Sequence, residues 1–339
     1  MIAQPLTKET LETMLDSINR AKICLIGDLC LDMYWHADMR LSELSRETPH
    51  FPLPVVEERF SAGGAGNVAC NIAALRPKEF SVIGLIGNDW RGDLLLKALS
   101  EQGIDTRRIV RSGAVVTNTY IKPIRRGISD VSYEDPRLDF ENRAPAPLAC
   151  EEALLAALED AAREADVLCV SDQMQFGCIT PQIRQRLCEY GAQGKTVIAD
   201  SRSRIGQYRN AIVKPNEVEA SRAFGDGSAM NLEELSRLAA RISRQNGRLA
   251  IVTLGEDGCF VADGEDVVRC PACRVEPPID FCGAGDTFLA GLSCFLAGGV
   301  PPVQAAQGAN LCSAVTIRKI GTTGTATRDE VRAAWEQYA

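Results

Sequence analysis

Histidine is nearly absent from this sequence, whose 339 residues include only His36 and His50. With so few histidines, the sequence does not support a Ser-His-Asp catalytic arrangement. The single C-x-x-C pair, Cys270 and Cys273, lacks the second pair or the nearby histidines that a zinc site requires. We interpret this pair as structural, with a redox role as the alternative.

Long apolar runs and an excess of positive charge are also missing. No stretch approaches the length of a membrane-spanning helix, and the N-terminal residues lack a signal-peptide pattern. The net charge of −8 argues against a nucleic-acid partner, which a basic patch normally marks. The thirteen cysteines are scattered through apolar runs, so we expect reduced thiols. These features predict a cytoplasmic protein without a nucleic-acid or membrane partner.

What the sequence does contain is an alternation of short apolar runs and amphipathic stretches. The apolar runs that predict buried strands are 22–28, 80–87, 166–172, 195–200 and 248–255. Helical periodicity occupies 91–103, 151–165 and 231–245, and Thr180-Pro181 supplies the N-cap and first-turn proline of another helix. This order predicts an α/β fold whose mainly parallel sheet is covered by helices on both faces.

Two segments, at 33–60 and about 115–143, interrupt this alternation. They show strand-like patterns such as TNTYIKPI without helical periodicity, and each lies between parts of the α/β pattern. We therefore expect both to leave the main domain and to pair as a small antiparallel β lid. The exposed face of such a lid often seeks a partner, which makes a homodimer through the lid one expectation.

The sequence DFCGAGDTF, residues 280–288, is the most unusual stretch. Gly283, Ala284 and Gly285 begin an apolar helix directly before Asp286. Small residues at a helix start leave the backbone N–H groups open to an anion, and the acid that follows would face that anion.

Two further motifs lie in the N-terminal half. The glycine-rich segment SAGGAGN ends at Asn67, which could form hydrogen bonds to a polyhydroxylated ligand; the alternative is a tight turn before a helix. The segment lacks the G-x-G-x-x-G spacing of a dinucleotide site. Asp28, at the end of the first predicted strand, and Asp32 are placed to accept hydrogen bonds from hydroxyl groups, with a turn-capping role as the alternative for Asp28.

Two motifs lie in the C-terminal half. Asn216 and Glu219 of KPNEVEA share one helix face and could hold a metal–water shell near phosphates. Alternatively, they form a capping box at the start of that helix. VTLGEDG, residues 252–258, predicts either a plain hairpin or backbone and Thr253 contacts to a nucleotide.

The order of these motifs is more specific than any one of them. G-G-x-G-N, N-x-x-E, T-L-G-x-x-G and D-x-x-G-A-G-D follow one another, and over about residues 20–325 the sequence resembles the ribokinase-like (pfkB) carbohydrate kinases. The resemblance implies a ribokinase-like three-layer α/β sandwich, with 1–339 as one kinase domain and the lid as a discontinuous part of it. It also implies ATP and Mg²⁺ as cofactors, and a sugar or sugar phosphate as the substrate.

The resemblance assigns a role to each motif. Asp286 would accept the proton of the attacking hydroxyl beside an anion hole formed by Gly283, Ala284 and Gly285. Because a helix N-terminus favours an ionised carboxylate, we expect Asp286 to be a weak base. Sugar contacts are expected from Asp28, Asp32, Gly64 and Asn67. Nucleotide contacts are expected from Asn216, Thr253, Gly255, Gly258 and Asn310. Glu219 would hold Mg²⁺ through water.

Within that family the sequence looks most like the kinase domain of heptose-7-phosphate kinases, in GDLCLDMYW (27–35), RLDFEN (137–142) and RKIGTTGTAT (318–327). Those enzymes are often fused to a nucleotidyltransferase, and we expect only the kinase part here. Two segments depart from the family pattern. Asp280-Phe281-Cys282 replaces small hydroxylated residues, and SDQMQFG (171–177) differs from what heptose kinases lead us to expect.

Basic residues of the lid suggest the substrate. Lys122, Arg125, Arg126 and Arg137 lie there in an otherwise acidic chain, and guanidinium groups match phosphate oxygens in pairs. Any one of them could simply be solvated; as a group they predict a clamp for a phosphate already on the substrate. We therefore favour heptose 7-phosphate, phosphorylated on its anomeric hydroxyl. The alternatives are a kinase for an unphosphorylated sugar or nucleoside, and a non-catalytic sugar or nucleotide sensor on the same fold.

Overall fold

The computed structural model describes residues 1–127, 129, 131–321 and 323–338. Ile128 and Asp130 of the predicted lid, Thr322 of the late motif and Ala339 lie outside the described residues. The strands are β1 (Lys22–Gly27), β2 (Leu29–Asp38), β3 (Val55–Gly64), β4 (Glu79–Gly87), β5 (Ile109–Ser112), β6 (Thr119–Arg126), β7 (Ser132–Glu134), β8 (Leu138–Phe140), β9 (Val167–Asp172), β10 (Thr196–Ser201), β11 (Ile212–Val213), β12 (Ala250–Thr253), β13 (Cys259–Asp263) and β14 (Asp266–Cys270). The helices are α1 (Lys8–Ser17), α2 (Ala65–Leu75), α3 (Trp90–Glu101), α4 (Leu148–Glu164), α5 (Pro181–Ala192), α6 (Glu217–Phe224), α7 (Leu232–Asn246), α8 (Ala284–Ala297), α9 (Pro302–Thr316) and α10 (Arg328–Tyr338).

The main sheet has the strand order β14-β13-β12-β11-β10-β9-β1-β4-β5 in the described part of the chain. Neighbouring strands from β12 to β5 are parallel, whereas β13 and β14 are antiparallel additions at one edge. The predicted mainly parallel sheet is therefore confirmed. Its parallel strands place their carboxyl ends along one edge, where the loops that follow them meet.

Helices cover both faces of this sheet because each buried strand sends alternate side chains into two apolar layers. On β1, Ile23 and Leu25 pack with α1, α2, α3, α8, α9 and α10. Cys24 and Ile26 of the same strand face a second core that includes α4, α5, α6 and α7. The result is the three-layer α/β sandwich expected from the alternation of strands and helices.

Local sequence signals explain where the helices begin. Thr180 accepts the N–H of Ile183, and Pro181 occupies the first position of α5. Asn231 and Glu234 form a capping box at the start of α7. The predicted strands and helices are present, and their ends differ by a few residues from those expected.

The lid is a separate sheet with the order β3-β2-β6-β7, and β8 also pairs with β6. β3 pairs antiparallel with β2, and β7 and β8 pair antiparallel with β6. At the centre, however, β2 and β6 are parallel, so the prediction of an antiparallel lid is wrong there. The two strands run in the same direction because both leave the main body at the same place, where the N–H of Leu31 donates to the carbonyl of Asn118.

All thirteen cysteines are free thiols in the structure, and most of them are buried. Within the described residues, no group of three or more His, Cys, Asp or Glu side chains could hold a metal ion. No helix in that same part of the chain is long and apolar enough to cross a membrane.

Candidate active site

Charged side chains collect at the edge where the parallel strands end. Asp28 follows β1, Asp172 and Asp200 lie at the ends of β9 and β10, and Lys214 follows β11. In open α/β sheets, ligands bind in the crevice outside this edge. Helix α8 begins beside these residues, since the Lys214 Nζ is 3.9 Å from where a Cβ on Gly285 would stand.

Asp286 lies in the first turn of α8 and is held there by α2. The Asn67 side chain is buried and donates from Nδ2 to Asp286 Oδ2 at 2.9 Å. Gly283, the N-cap of α8, has a φ of 79°, and a Cβ on it would lie 2.5 Å from Asn67 Nδ2. A larger residue at 283 would be strained and would displace Asn67, which explains why glycine stands there.

The ionisation of Asp286 differs from the expectation. Burial raises the pKa of its carboxyl to about 6, and the hydrogen bond from Asn67 only partly opposes that effect. The prediction of a weak base is therefore wrong: the helix N-terminus typically contributes about 1 kcal/mol or less, and desolvation outweighs it here. A carboxylate with this pKa accepts a proton more readily and is still mostly ionised at neutral pH.

One of the three N–H groups predicted to be open at the start of α8, that of Ala284, is already bonded. The N–H of Ala284 donates to the carbonyl of Phe281 at 3.1 Å and closes a turn before the helix. The N–H groups of Gly285 and Asp286 lie in the first turn, where a helix provides no internal acceptor. Because Gly285 is exposed, an anion can approach this part of the backbone. The anion-binding position is thus centred on Gly285 and Asp286 rather than on Ala284.

Lys214 is a buried cation of this site whose role the sequence motifs did not indicate. Its side chain is 4% exposed, and Nζ lies 3.2 Å from Oδ2 of Asp200, whose side chain is 9% exposed. Burial lowers the pKa of Lys214, but the negative charges of Asp200 and Glu219 outweigh that effect and the net shift is upward. The ammonium group therefore remains charged. The sequence feature that could have revealed Lys214 is its position directly before the P-N-E motif. There it follows β11, which pairs with β10, the strand that carries Asp200.

Asn216 and Glu219 form the capping box that was the alternative interpretation of their spacing. The Asn216 Oδ1 accepts the N–H of Glu219 at 2.8 Å, and Glu219 Oε2 accepts the N–H of Asn216 at 2.9 Å. Burial, together with the nearby Asp200, raises the pKa of the Glu219 carboxyl. Capping uses Oε2 of Glu219, and Oε1 takes no part in it.

The residues predicted to contact a nucleotide lie on one side of the crevice. Thr253 ends β12 and pairs through its backbone with Asn216. Gly255, at a φ of 56°, has open space where a side chain would be, whereas a Cβ on Gly258 would collide with the backbone of Cys270. Asn310 departs from the prediction, because its Nδ2 donates to the carbonyls of Cys270 at 3.2 Å and Pro271 at 3.1 Å. Asn310 therefore supports the backbone after β14.

Asp28 does not have the role expected of it. Its carboxylate accepts three backbone N–H groups, from Gln173 at 2.8 Å and from Met174 and Cys178 at 2.7 Å. The residue is 2% exposed, and a Cβ on Gly177 would overlap its carboxylate. Burial raises the pKa of Asp28 to about 6. Asp28 anchors the loop after β9, so the prediction of a direct sugar contact is wrong.

Asp32 lies near Asp286, on the part of the lid where β2 pairs with the end of β3 that carries Gly63 and Gly64. Asp32 lies half-buried on β2, and a Cβ on Gly63 of β3 would collide with its Oδ2. Burial raises the pKa of the Asp32 carboxyl, while the positive charges of Lys122 and Arg137 oppose that shift. Gly64 has a φ of 55°, and a Cβ on it would lie 2.6 Å from the carbonyl oxygen of Asp28. Glycine is thus required where β3 turns into α2.

The basic residues of the lid do not form one cluster. Register pairs Asp32 with Tyr120 and Tyr34 with Lys122, so these side chains share a face of the lid. Arg125 lies on the opposite face, where its Nε donates to Asp135 at 2.8 Å, and its predicted role in a phosphate clamp is wrong. Because side chains alternate between the two faces of a strand, the consecutive residues Arg125 and Arg126 lie on opposite faces of the lid.

The other two arginines lie on different parts of the lid. Arg126 pairs in register with Asp38, at the far end of β2 from Asp32. Arg137 packs over the ring of Tyr120, 4.4 Å from its centre, and donates to Asp139 at 2.6 Å. Two residues of the predicted clamp, Lys122 and Arg137, are close enough to Asp32 to act on its charge.

A buried network behind the crevice had no clear sequence signal. Asp172 is inaccessible to solvent and accepts hydrogen bonds from Ser201 Oγ at 2.9 Å and Tyr208 Oη at 3.0 Å. Arg204 pairs with the same carboxylate and also donates to the carbonyl of Met174. The network and Asp28 together hold the SDQMQFG loop, which the sequence marked only as a departure from heptose kinases.

The fold is similar to those of solved sugar kinases. The structure is similar to the ribokinase of Arabidopsis thaliana complexed with ribose and ATP, with a TM-score of 0.69, 19% identity, and coverage of 94% of this chain and 99% of that one. It is also similar to phosphofructokinase-2 of Escherichia coli, with a TM-score of 0.70, 18% identity, and coverage of 94% and 99%. These similarities show a ribokinase-like fold.

The sequence comparisons give the family. Residues 21–328 match the pfkB family of carbohydrate kinases. The chain is 32% identical over 336 residues to the bifunctional protein HldE of Trichlorobacter lovleyi, covering 96% of this chain and 65% of that protein. It is 34% identical over 323 residues to HldE of Caulobacter sp., covering 93% and 63%. The chain belongs to the pfkB family of carbohydrate kinases, which are phosphotransferases with an alcohol group as acceptor, and it spans somewhat less than two thirds of these relatives' length.

Proposed function

We propose that this chain transfers the γ-phosphoryl group of ATP to the anomeric hydroxyl of a heptose 7-phosphate. The observation that carries the proposal is the position of Asp286, which lies beside the open N–H groups of Gly285 and its own backbone and is hydrogen-bonded by Asn67. An acid and an anion-binding helix start in one crevice suit a reaction that removes a proton and develops negative charge. The sequence similarity to HldE proteins supports the choice of a heptose phosphate.

In the proposed reaction, the sugar hydroxyl oxygen attacks the γ-phosphorus and the bond to the β–γ bridging oxygen breaks, so that ADP leaves. Asp286 accepts the hydroxyl proton. The N–H groups of the first turn of α8 and the Lys214 ammonium, 3.9 Å from a Cβ position on Gly285, stabilise the charge on the moving phosphoryl group. Asp200 holds Lys214 in place through their buried ion pair.

ATP and Mg²⁺ would bind on the side of the crevice that carries Thr253, Gly255 and Glu219. A Cβ on Gly255 would meet open space, so a ligand can approach the backbone there, and Glu219 Oε1 would hold Mg²⁺ through water, because Oε2 caps α6. The capping box keeps the Glu219 side chain in one orientation. When bound, Mg²⁺ neutralises negative charge on the phosphates.

The phosphate already present on the sugar would bind to the lid face that carries Asp32. Lys122 and Arg137 both act electrostatically on Asp32, and they are the two members of the predicted clamp near it. Asp32 would accept hydrogen bonds from sugar hydroxyls while the cations bind phosphate oxygens. Gly64 lies at the base of the same lid and would line the sugar site. Asn67 is buried and bonded to Asp286 and Asn71, so we do not propose a direct sugar contact for it.

The test is ADP release from ATP and Mg²⁺ with purified protein and a panel of acceptors: D-glycero-β-D-manno-heptose 7-phosphate, the same heptose without phosphate, fructose 6-phosphate, ribose and adenosine. We expect the highest kcat/KM for heptose 7-phosphate, and Asp286→Asn serves as the control for contaminating kinases. A free sugar or a nucleoside as the best acceptor would overturn the substrate assignment. ATP binding without ADP release for any acceptor would favour the sensor alternative.

We also propose that the protein forms a homodimer through the lid. Large apolar side chains are exposed there, including Phe51, Val56 and Tyr133, which are 61%, 58% and 54% exposed. Sedimentation equilibrium should give a dimer mass for the wild type and a monomer mass for Val56→Asp. Val218→Asp, at an apolar residue of α6 that is 47% exposed, is the matched control and should leave the mass unchanged. A monomeric wild type would refute the dimer.

A further inference from the structure

Two buried asparagines connect Asp286 to the C-terminal segment. Asn67 donates from Nδ2 to Asp286 Oδ2 at 2.9 Å. One turn further along α2, Asn71 donates from Nδ2 to the carbonyl of Asn67 at 3.0 Å and to its Oδ1 at 3.3 Å. On its other side, Asn71 donates to the carbonyl of Gly324 at 3.3 Å and accepts the N–H of Ala326 at 3.2 Å. Asn67 and Asn71 are 2% and 1% exposed, so water does not replace these contacts.

Backbone groups determine which way the Asn71 amide points. A backbone N–H can only donate and a carbonyl oxygen can only accept. The N–H of Ala326 therefore requires Oδ1 of Asn71 on its side, and the carbonyls of Asn67 and Gly324 require Nδ2 on theirs. This orientation presents a donor to the Asn67 side chain.

The orientation of Asn71 then determines that of Asn67. Since Asn67 Oδ1 accepts from Asn71, its Nδ2 is directed to Asp286. A reversed Asn67 amide would place its oxygen against the Asp286 carboxylate, so that two acceptors faced each other without a proton.

We propose that Asn71 is a positioning residue for the phosphoryl-transfer reaction: by fixing the amide orientation of Asn67, it keeps a hydrogen-bond donor on Oδ2 of Asp286 and leaves Oδ1 for the substrate hydroxyl. The inference rests on the proposed role of Asp286 as the base. Asn71 acts only through Asn67, because its own amide is committed to α2 and to the segment around Gly324 and Ala326.

Asn71→Asp is the sharpest variant, because it retains the shape of the side chain and the acceptor for Ala326 but replaces the donor that faces Asn67. Reversal of Asn67 then gives the new carboxylate a donor and removes the donor from Asp286. The pKa of Asp286 should rise by about one unit or more, since a hydrogen bond to the ionised form is lost and the new carboxylate brings a negative charge nearby. Asn71→Ala removes both groups, leaves Asn67 without a preferred orientation, and should give a smaller rise.

The measurement is a pH titration of the Asp286 carboxyl carbon by NMR, in protein labelled with ¹³C-aspartate and without substrate. Asp286→Asn assigns the signal. The charged groups that face Asp286 from other elements, Asp32, Asp200 and Lys214, are unchanged in these variants. Asn246→Asp is the matched control: it alters an equally buried amide, 3% exposed, that bonds to the carbonyl of Ala211 away from the site, and should leave the titration of Asp286 unchanged.

We expect the pKa of Asp286 to increase in the order wild type, Asn71→Ala, Asn71→Asp. Because Asn71→Asp also adds a negative charge that by itself raises the pKa of Asp286, Asn71→Ala decides the inference. An unchanged pKa of Asp286 in Asn71→Ala would overturn it, even if turnover fell or Asn71→Asp did not fold in a thermal-unfolding measurement. The titration does not need turnover, so a wild type that phosphorylates no sugar would refute the proposed function while the positioning effect is still judged by the order of pKa values.

Discussion

The floor of the crevice, which carries Asn67, Lys214 and Asp286, and the lid are proposed to contribute to the same site through different kinds of contact. On the floor, Asn67 and Asp286 are hydrogen-bonded although 219 positions separate them along the chain. In the lid, Arg137 bonds to Asp139, two positions away, and Arg125 to Asp135, ten positions away. The groups proposed for phosphoryl transfer are thus fixed by the packed core, whereas those proposed to choose the sugar lie on a sheet with local contacts and exposed side chains. Changes on the floor should lower the rate, and changes in the lid should alter selectivity.

The largest expected effect is that of Asp286→Asn on the floor. Without a proton acceptor, kcat should fall roughly 10²–10⁴-fold, the usual range for loss of a general base. ATP affinity and the unfolding temperature should stay close to those of the wild type, because asparagine retains the shape and an acceptor for Asn67. Turnover near the wild-type rate in a coupled ADP assay would refute the assignment.

Lys214→Met should affect both rate and stability. We expect kcat to fall about 10²-fold from the loss of a cation near the phosphoryl group, and unfolding to cost about 3 kcal/mol less because Asp200 is left buried without its partner. The double variant with Asp200→Asn is the control, and it should recover much of the stability but not the rate. Recovery of both would make the pair purely structural.

The pKa of Asp286 predicts an acid limb in the pH profile. Below a pH of about 6 the carboxyl is protonated, so kcat/KM should fall about tenfold per pH unit. These two groups affect stability in the opposite sense: the folded-state pKa values of Asp28 and Asp286 are raised to about 6, so the contribution of each to stability increases as the pH falls from 6 towards 4. A rate that is constant from pH 8 to pH 5 would contradict this assignment.

The smallest effect is expected in the lid. Arg137→Ala should raise the KM for a phosphorylated sugar about tenfold with little change in kcat, since one charge-assisted contact is lost. Arg125→Ala, on the opposite face, is the matched control and should leave the KM unchanged. Equal effects of the two variants would mean that the face carrying Asp32 does not bind the phosphate.

The sequence predicted the fold well because strands and helices depend on local patterns. Apolar runs set the strands, and Gly283 and Gly285 mark the open start of α8. The sequence could not show that Ala284 closes a turn with Phe281, or that burial raises the pKa of Asp286, because both effects come from the folded surroundings.

The errors concerned side chains whose partners lie far away or on the other face. Asp28 looked like a ligand contact, yet the loop at 173–178 takes up its carboxylate. Arg125 and Arg126 looked like a pair, although strand alternation directs them to opposite faces. Lys214 was overlooked because its partner Asp200 is on a different strand. The contacts that determine these roles form only in the folded protein, so the sequence motifs could not show them.

The way the lid is attached has a consequence for how substrate range can change. β2 leaves the main body directly after Asp28 and β3 returns at Gly64, where the N–H of Ala65 donates to the carbonyl of Asp28 at 3.0 Å. The second excursion leaves at Asn118 and returns at Asn142, whose N–H donates to Asn118 Oδ1 at 3.2 Å. The lid therefore joins the main body at four points, which lie in two close pairs. A chimaera that carries the corresponding two segments of another sugar kinase needs matched backbone at those junctions and side chains that fit the core where Met33, Ala62 and Ile121 pack. New acceptors can then be tested by grafting while the helix that bears Asp286 remains as it is.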